Sequence, residues 1–146
     1  AAELLNVKSD TKIDAIKADA NGSFTLPASK ATTYGEKLAY RPALDVLAPW
    51  RVANDVAEWH VEVAREADYE VTVTLAADDA SAGDKFALEA ETSRSIGTVI
   101  SSGDYEHFVE APAGRIHLKA GINRLLLKAE GPLKQELADV RAVKLK

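Results

Sequence analysis

Six side chains have the types and neighbourhoods that would grip a small ligand rather than transform one. Trp50 stands between Pro49 and Arg51, Tyr40 precedes Arg41, Asp104 precedes Tyr105, and Asn54 follows shortly after Trp50. A flat aromatic stacks on an apolar ring face, while Arg, Asp and Asn meet hydroxyl groups as donors or acceptors. Together they suit a polyhydroxylated ring such as a pyranose. Aromatic residues make up only 6% of the chain, so each one weighs in the choice. Trp50 has two readings: a platform projecting from a loop, or an indole plugging the end of a core. Tyr34 shares its loop region, and Phe108 flanks the same turn as Tyr105.

Catalytic constellations are missing. There is no Gly-x-Ser-x-Gly elbow, no His-Glu-x-x-His and no phosphate-cradling glycine loop. His60, His107 and His117 fall on expected strands and read as sheet-face histidines. Carboxylates are numerous, but no pair is set apart by position as an acid and a base. Asp78-Asp79-x-Ser81-x-Gly83-Asp84 offers oxygen ligands without the order or closing Glu of an EF-hand, and reads as a solvated turn. The expectation is a protein that is not an enzyme.

Strands must position these residues. Trp59, Val61 and Val63 alternate with polar neighbours, as do Tyr69, Val71, Val73 and Leu75, and Arg65–Asp68 reads as a tight connection making the two runs an antiparallel pair. Phe86 and Leu88 open a further run, Ile96, Thr98 and Ile100 follow a turn at Ser93-Arg94, and Tyr105–Val109 precedes Pro112-Ala113-Gly114. Runs at Arg115–Lys119, Asn123–Ala129 and Val140–Leu145 complete the series. Near the start, Asn21-Gly22 between Ile13–Ala20 and Ser23–Pro27 predicts a two-residue hairpin, and is formally a glycosylation sequon as well. Residues 28–55 read as irregular apart from a short strand at Lys37–Tyr40. Helical spacing over Asp45–Ala57 and Leu133–Ala138 does not persist. Short strands with turn signals every 8–12 residues or so indicate an all-β, two-sheet sandwich. Trp59, Tyr69 and Phe86 belong in its core. Residues 13–146 form the single domain, and 1–12 a linker or loosely held segment.

Charge and composition narrow the partners. Eighteen basic residues against 23 acidic ones give a net charge of −5, with no cluster dense enough to neutralise phosphates, so nucleic acid is not expected. The absence of cysteine removes disulfides, thiolate metal sites and cysteine nucleophiles. No apolar run approaches the ~20 residues of a spanning helix. The opening Ala1-Ala2-Glu3 lacks a leader pattern, as expected of a processed form or a piece of something longer.

The order of landmarks resembles family 6 and family 35 carbohydrate-binding modules, and the galactose-binding-like jelly rolls appended to fucosidases and sulfatases. The resemblance is carried by Ala18-Asp19-Ala20, by Trp50, by Trp59-His60-Val61-Glu62-Val63 with Ala67-Asp68-Tyr69-Glu70-Val71-Thr72-Val73, and by Leu118–Asn123 with Leu137–Leu145. It departs at Asp68, where the family has Gly, and at Asp19, where Glu is usual. It implies an antiparallel jelly roll that binds a glycan through loops at one end, secreted or periplasmic, attached to a neighbouring catalytic domain. It also implies a structural calcium held by Asp19 and Asp139 if first and last strands are neighbours. The competing reading is a structural spacer or packing domain with no ligand of its own.

Overall fold

The computed structural model describes residues 15–146, so the expected linker and the start of the first run lie outside the described residues. Twelve strands follow in order: β1 (Ile16–Lys17), β2 (Phe24–Pro27), β3 (Thr32–Tyr34), β4 (Ala39–Arg41), β5 (Val46–Ala48), β6 (Val56–Val63), β7 (Ala67–Ala76), β8 (Lys85–Glu89), β9 (Arg94–Thr98), β10 (Val109–Leu118), β11 (Gly121–Ala129) and β12 (Asp139–Leu145). One sheet runs β1-β6-β11-β8-β9, with β3 sharing the outer edge of β6. The other runs β10-β7-β12-β5-β4, with β2 sharing an edge of β12. Every pairing is antiparallel except that of β1 with β6. The all-β two-sheet sandwich expected from the strand periodicity is therefore the fold.

Alternation fills the gap between the sheets. Trp59, Val61 and Val63 of β6, Val71, Val73 and Leu75 of β7, and Leu125 and Leu127 of β11 are all buried. Packing such side chains against each other removes apolar surface from water, the main favourable contribution to folding. Trp59 and Phe86 lie in this core as their parity predicts, and the Trp59 indole N–H donates to the Pro27 carbonyl at 2.8 Å. Tyr69 is only partly buried and packs edge-on against Phe24, with ring centroids 5.6 Å apart.

Four local expectations need correction. The β6 and β7 runs are not paired: the chain crosses from one sheet to the other at Ala64–Glu66, so both strands face the same core from opposite sides. The Asn21-Gly22 turn forms, closed by Asp19 N–H to the Ser23 carbonyl at 2.8 Å, but makes no hairpin. Its flanks, β1 and β2, join different sheets. Pro112-Ala113-Gly114 is not a turn between two strands but a bulge inside the continuous β10, with Gly114 at φ 75° supplying the kink, and Tyr105 precedes that strand. Finally, β5 lies where helical spacing was weighed, over Val46–Ala48.

Candidate functional site

Of the six expected ligand contacts, Trp50 is buried and Tyr40, Arg41 and Asp104 are engaged within their own turns. Trp50 is fully buried, which overturns its reading as a platform: its carbonyl accepts the Leu137 N–H at 2.8 Å and its ring plugs the core. The Tyr40 hydroxyl donates to Asp45 Oδ1 at 2.9 Å, and Arg41 Nε donates to the Ala48 carbonyl at 2.9 Å. Both bonds close the β4–β5 hairpin on itself. Asp104 accepts the backbone N–H groups of Glu106 and His107 and contacts the His107 ring at 2.9 Å. Those backbone and imidazole bonds hold its carboxyl below the ordinary value. The Tyr105 hydroxyl lies 3.4 Å from Ser81 Oγ, and burial pushes its pKa up. Asn54 is exposed on the turn before β6. No open aromatic platform results at these positions.

The expected calcium pair is also separated. β2 pairs with β12 so that Phe24 lies opposite Leu145, placing the Asp19 turn beyond the C-terminal end of β12. Asp139 opens that strand at its other end. Six residues of extended chain span about 20 Å, so the two carboxylates cannot share an ion. Asp19 Oδ1 instead accepts the N–H groups of Asn21 and Ser23. Among the described residues, no group of three His, Asp or Glu side chains converges as a metal site.

A different constellation occupies the outer face of the β6 sheet. It begins with Asp55, whose fully buried carboxylate accepts the backbone N–H groups of Glu36, Lys37 and Leu38 at 2.9, 3.0 and 2.8 Å. These bonds pin the chain after β3, and Gly35 makes the bend at φ 129°. A side chain there would collide with Asp55, because a Cβ on Gly35 would sit 1.9 Å from Asp55 Oδ1. The pinned loop presents Tyr34, 48% exposed, on the outward parity of β3.

Tyr34 then meets an ion pair whose acid is nearly buried and whose guanidinium is half exposed. Its hydroxyl donates to Glu58 Oε1 at 2.7 Å, and Arg124 Nε donates to the other Glu58 oxygen. Glu58 is only 6% exposed on a face that is otherwise open. Burial raises the Glu58 pKa, but the bonds from Arg124 and Tyr34 outweigh it and hold the carboxyl below its ordinary value. The same contact with Glu58 raises the pKa of Tyr34 and that of Arg124.

Strand register extends the site. Leu126 of β11 lies opposite Glu58 on one side and Glu89 of β8 on the other, and His60 lies opposite Arg124. Arg124 and Leu126 line a shallow depression of about 300 Å³, together with Glu89, Glu91 and Ile122. From β3 to β8 is three inter-strand steps, about 14 Å, the span of a short oligosaccharide. A phenol ring, an apolar floor and fixed carboxylate and guanidinium groups thus share one surface. Glu58, Glu89, Arg124 and Leu126 were not identifiable from the sequence, where they read as the solvated side of strands; only the order β3-β6-β11-β8 unites them with Tyr34.

The two stacked, mostly antiparallel sheets make a β-sandwich similar in fold to family 35 carbohydrate-binding modules. Among solved structures, a native family 35 module from Clostridium thermocellum matches at TM-score 0.67 and 15% identity, covering 84% of this chain and 96% of that one. A family 35 module in complex with a glucuronic acid containing disaccharide matches at 0.65 and 12%, covering 84% and 91%. The Arthrobacter globiformis T6 isomalto-dextranase complexed with panose matches at 0.70 and 17%, over 87% of this chain. This chain spans only 24% of that enzyme's length. No family model and no curated protein matches the sequence.

Proposed function

We propose that the chain is a non-catalytic carbohydrate-binding module, an accessory domain of a larger exported, polysaccharide-active protein. The observation that carries this reading is Tyr34: an exposed ring locked beside a nearly buried acid that is paired with a half-exposed guanidinium, at one side of an open depression. A short oligosaccharide with one pyranose stacked on the ring would place its hydroxyl groups within reach of Arg124 and, one strand beyond it, Glu89, in the manner of sites that combine an apolar surface with a few fixed polar groups. The whole-module length of the family 35 matches supports a self-standing binding unit. The match to one part of an isomalto-dextranase supports attachment to a glycan-active partner. Among the described residues no helix is long and apolar enough to cross a membrane.

The experiment is a glycan array with the wild-type chain and a Tyr34→Ala variant. Binding should be modest, and truncating the ring should weaken it about tenfold or more while the chain stays folded, with only the small drop in melting temperature expected from losing the hydroxyl bond to Glu58. Equal binding by the variant would move the site elsewhere.

The spacer reading is favoured by a separate observation, the burial of Trp50 and the self-closure of Tyr40 and Arg41. Failure to bind any glycan would select it. A structural calcium would need ligands other than Asp19 with Asp139. A chelator that lowers the melting temperature would reveal such an ion, since a ligand bound only to the folded state must stabilise it.

A further inference from the structure

Resting on the glycan-binding reading and on the Tyr34 face, we infer that this site takes neutral sugars and discriminates against uronic acids. The inference comes from how the charges on the face are matched. Arg124, which borders the depression, has its charge answered by the nearly buried Glu58. Lys128 contacts Glu89 at 3.2 Å, and Arg94 contacts Glu89 at 3.2 Å and also Glu130. Among the described residues, these three cations beside the depression are each engaged with a carboxylate. Lys85, which bonds Thr98 Oγ1 at 3.3 Å, lies four residues away along β8 at the far end of the strand.

One carboxylate, by contrast, remains exposed and unmatched at the rim. Glu91 stands at the tip between β8 and β9, borders both the 300 Å³ depression and an adjoining one of about 410 Å³, and has no ion-pair partner among the described residues. Glu89 contributes to both depressions as well. A uronate carboxylate placed here would face the unpaired Glu91, and a full ion pair with Arg124 would compete with the nearly buried Glu58 for that charge. Like charges held close oppose binding, and stripping the partner from a buried carboxylate costs more still. A neutral pyranose avoids both. Its hydroxyl groups accept from the outward N–H groups of Arg124 and donate to Glu89, and neither contact asks for a full ion pair.

The test is calorimetric titration with oligomers of glucose, galactose and mannose, each matched against the uronate of the same ring and linkage. The expected result is at least one neutral oligomer binding about tenfold or more tightly than its uronate partner. The gap should narrow in high salt, which screens repulsion between exposed charges. A Glu91→Gln variant, which removes the unpaired rim charge, should narrow it in low salt, with neutral binding largely retained. Uronates binding as tightly as their neutral partners, with binding still lost in Tyr34→Ala, would overturn the inference while leaving the glycan reading intact. No binding to either series would overturn the glycan reading itself, and the inference with it.

Discussion

The Asp55 carboxylate decides where Tyr34 stands. It is fully buried and satisfied by three consecutive backbone N–H groups, which is how an anion survives away from water. Gly35→Ala should therefore be costly twice over. An L-residue is strained at φ 129°, and its Cβ would overlap Asp55 Oδ1. Destabilisation of about 2–4 kcal/mol in urea unfolding is expected, with loss of glycan binding, because the loop that aims Tyr34 must shift. Glu58→Gln probes the neighbouring acid more gently. It removes the charge-assisted bond to Arg124, so a loss of about 1–2 kcal/mol at neutral pH is expected. The native carboxyl sits below its ordinary value, so its contribution is present above that ordinary range and fades as pH falls through the folded value. Wild type and variant should thus converge in acid. A difference that persisted unchanged in acid, once the carboxyl is protonated, would mean that the charge on Glu58 is not what stabilises the pair.

At the scale of strands, β9 shows why periodicity alone misjudged an edge. Alternating Ile96, Thr98 and Ile100 suggested an apolar face turned inward, yet Ile96 and Ile100 are exposed at 44% and 41%. The inward positions are Ser95, Gly97 and Val99. The Phe86 ring from β8 fills the space in front of Gly97: a Cβ there would lie 2.5 Å from Phe86 Cζ and 2.9 Å from Ala113 Cβ. One large residue has displaced its neighbour's side chain, a trade visible only once both strands are placed. Gly97→Ala should overpack the core and cost about 1–3 kcal/mol, whereas Ile96→Thr should change stability by no more than about 0.5 kcal/mol. Urea midpoints for the pair check this, and equal effects would reverse the assigned parity. The same limit governed the rest of the sequence reading. Alternation in β6, β7, β11 and β12 was legible because each strand has one apolar face. Which sheet each strand joins was not, since a three-residue turn at Ala64–Glu66 serves a crossover as readily as a hairpin. The site suffered most: Tyr34, Glu58 and Arg124 meet only through non-local pairing, while Trp50 looked like a loop residue until its burial beside Leu137 was seen.

For the molecule as a whole, the end of the sandwich where β12 begins carries a pH liability. Asp139 is 9% exposed, pairs with Ala76 of β7, and has a folded-state pKa pushed up to about 6, chiefly by burial and then by the nearby Glu136. A free Asp titrates near 4, so the folded chain holds this proton more tightly than the unfolded one. The favourable contribution is then fully present below about pH 4 and is lost as pH rises through about 6, because above that the fold must bury a charge. Asp139→Asn keeps the shape and removes the titration. The variant should be indistinguishable from wild type or slightly weaker at pH 4, and more stable by about 1–3 kcal/mol at pH 8. Thermal melts of both proteins across that range would show the two stability curves diverging between pH 4 and pH 7. Because β12 is central to its sheet, joining β7 to β5 and β2, the change should appear as a shift of the entire cooperative transition and not as fraying of one loop. Parallel curves across the range would mean that Asp139 keeps an ordinary pKa in the folded chain, and that this end of the sandwich admits more water than its burial implies.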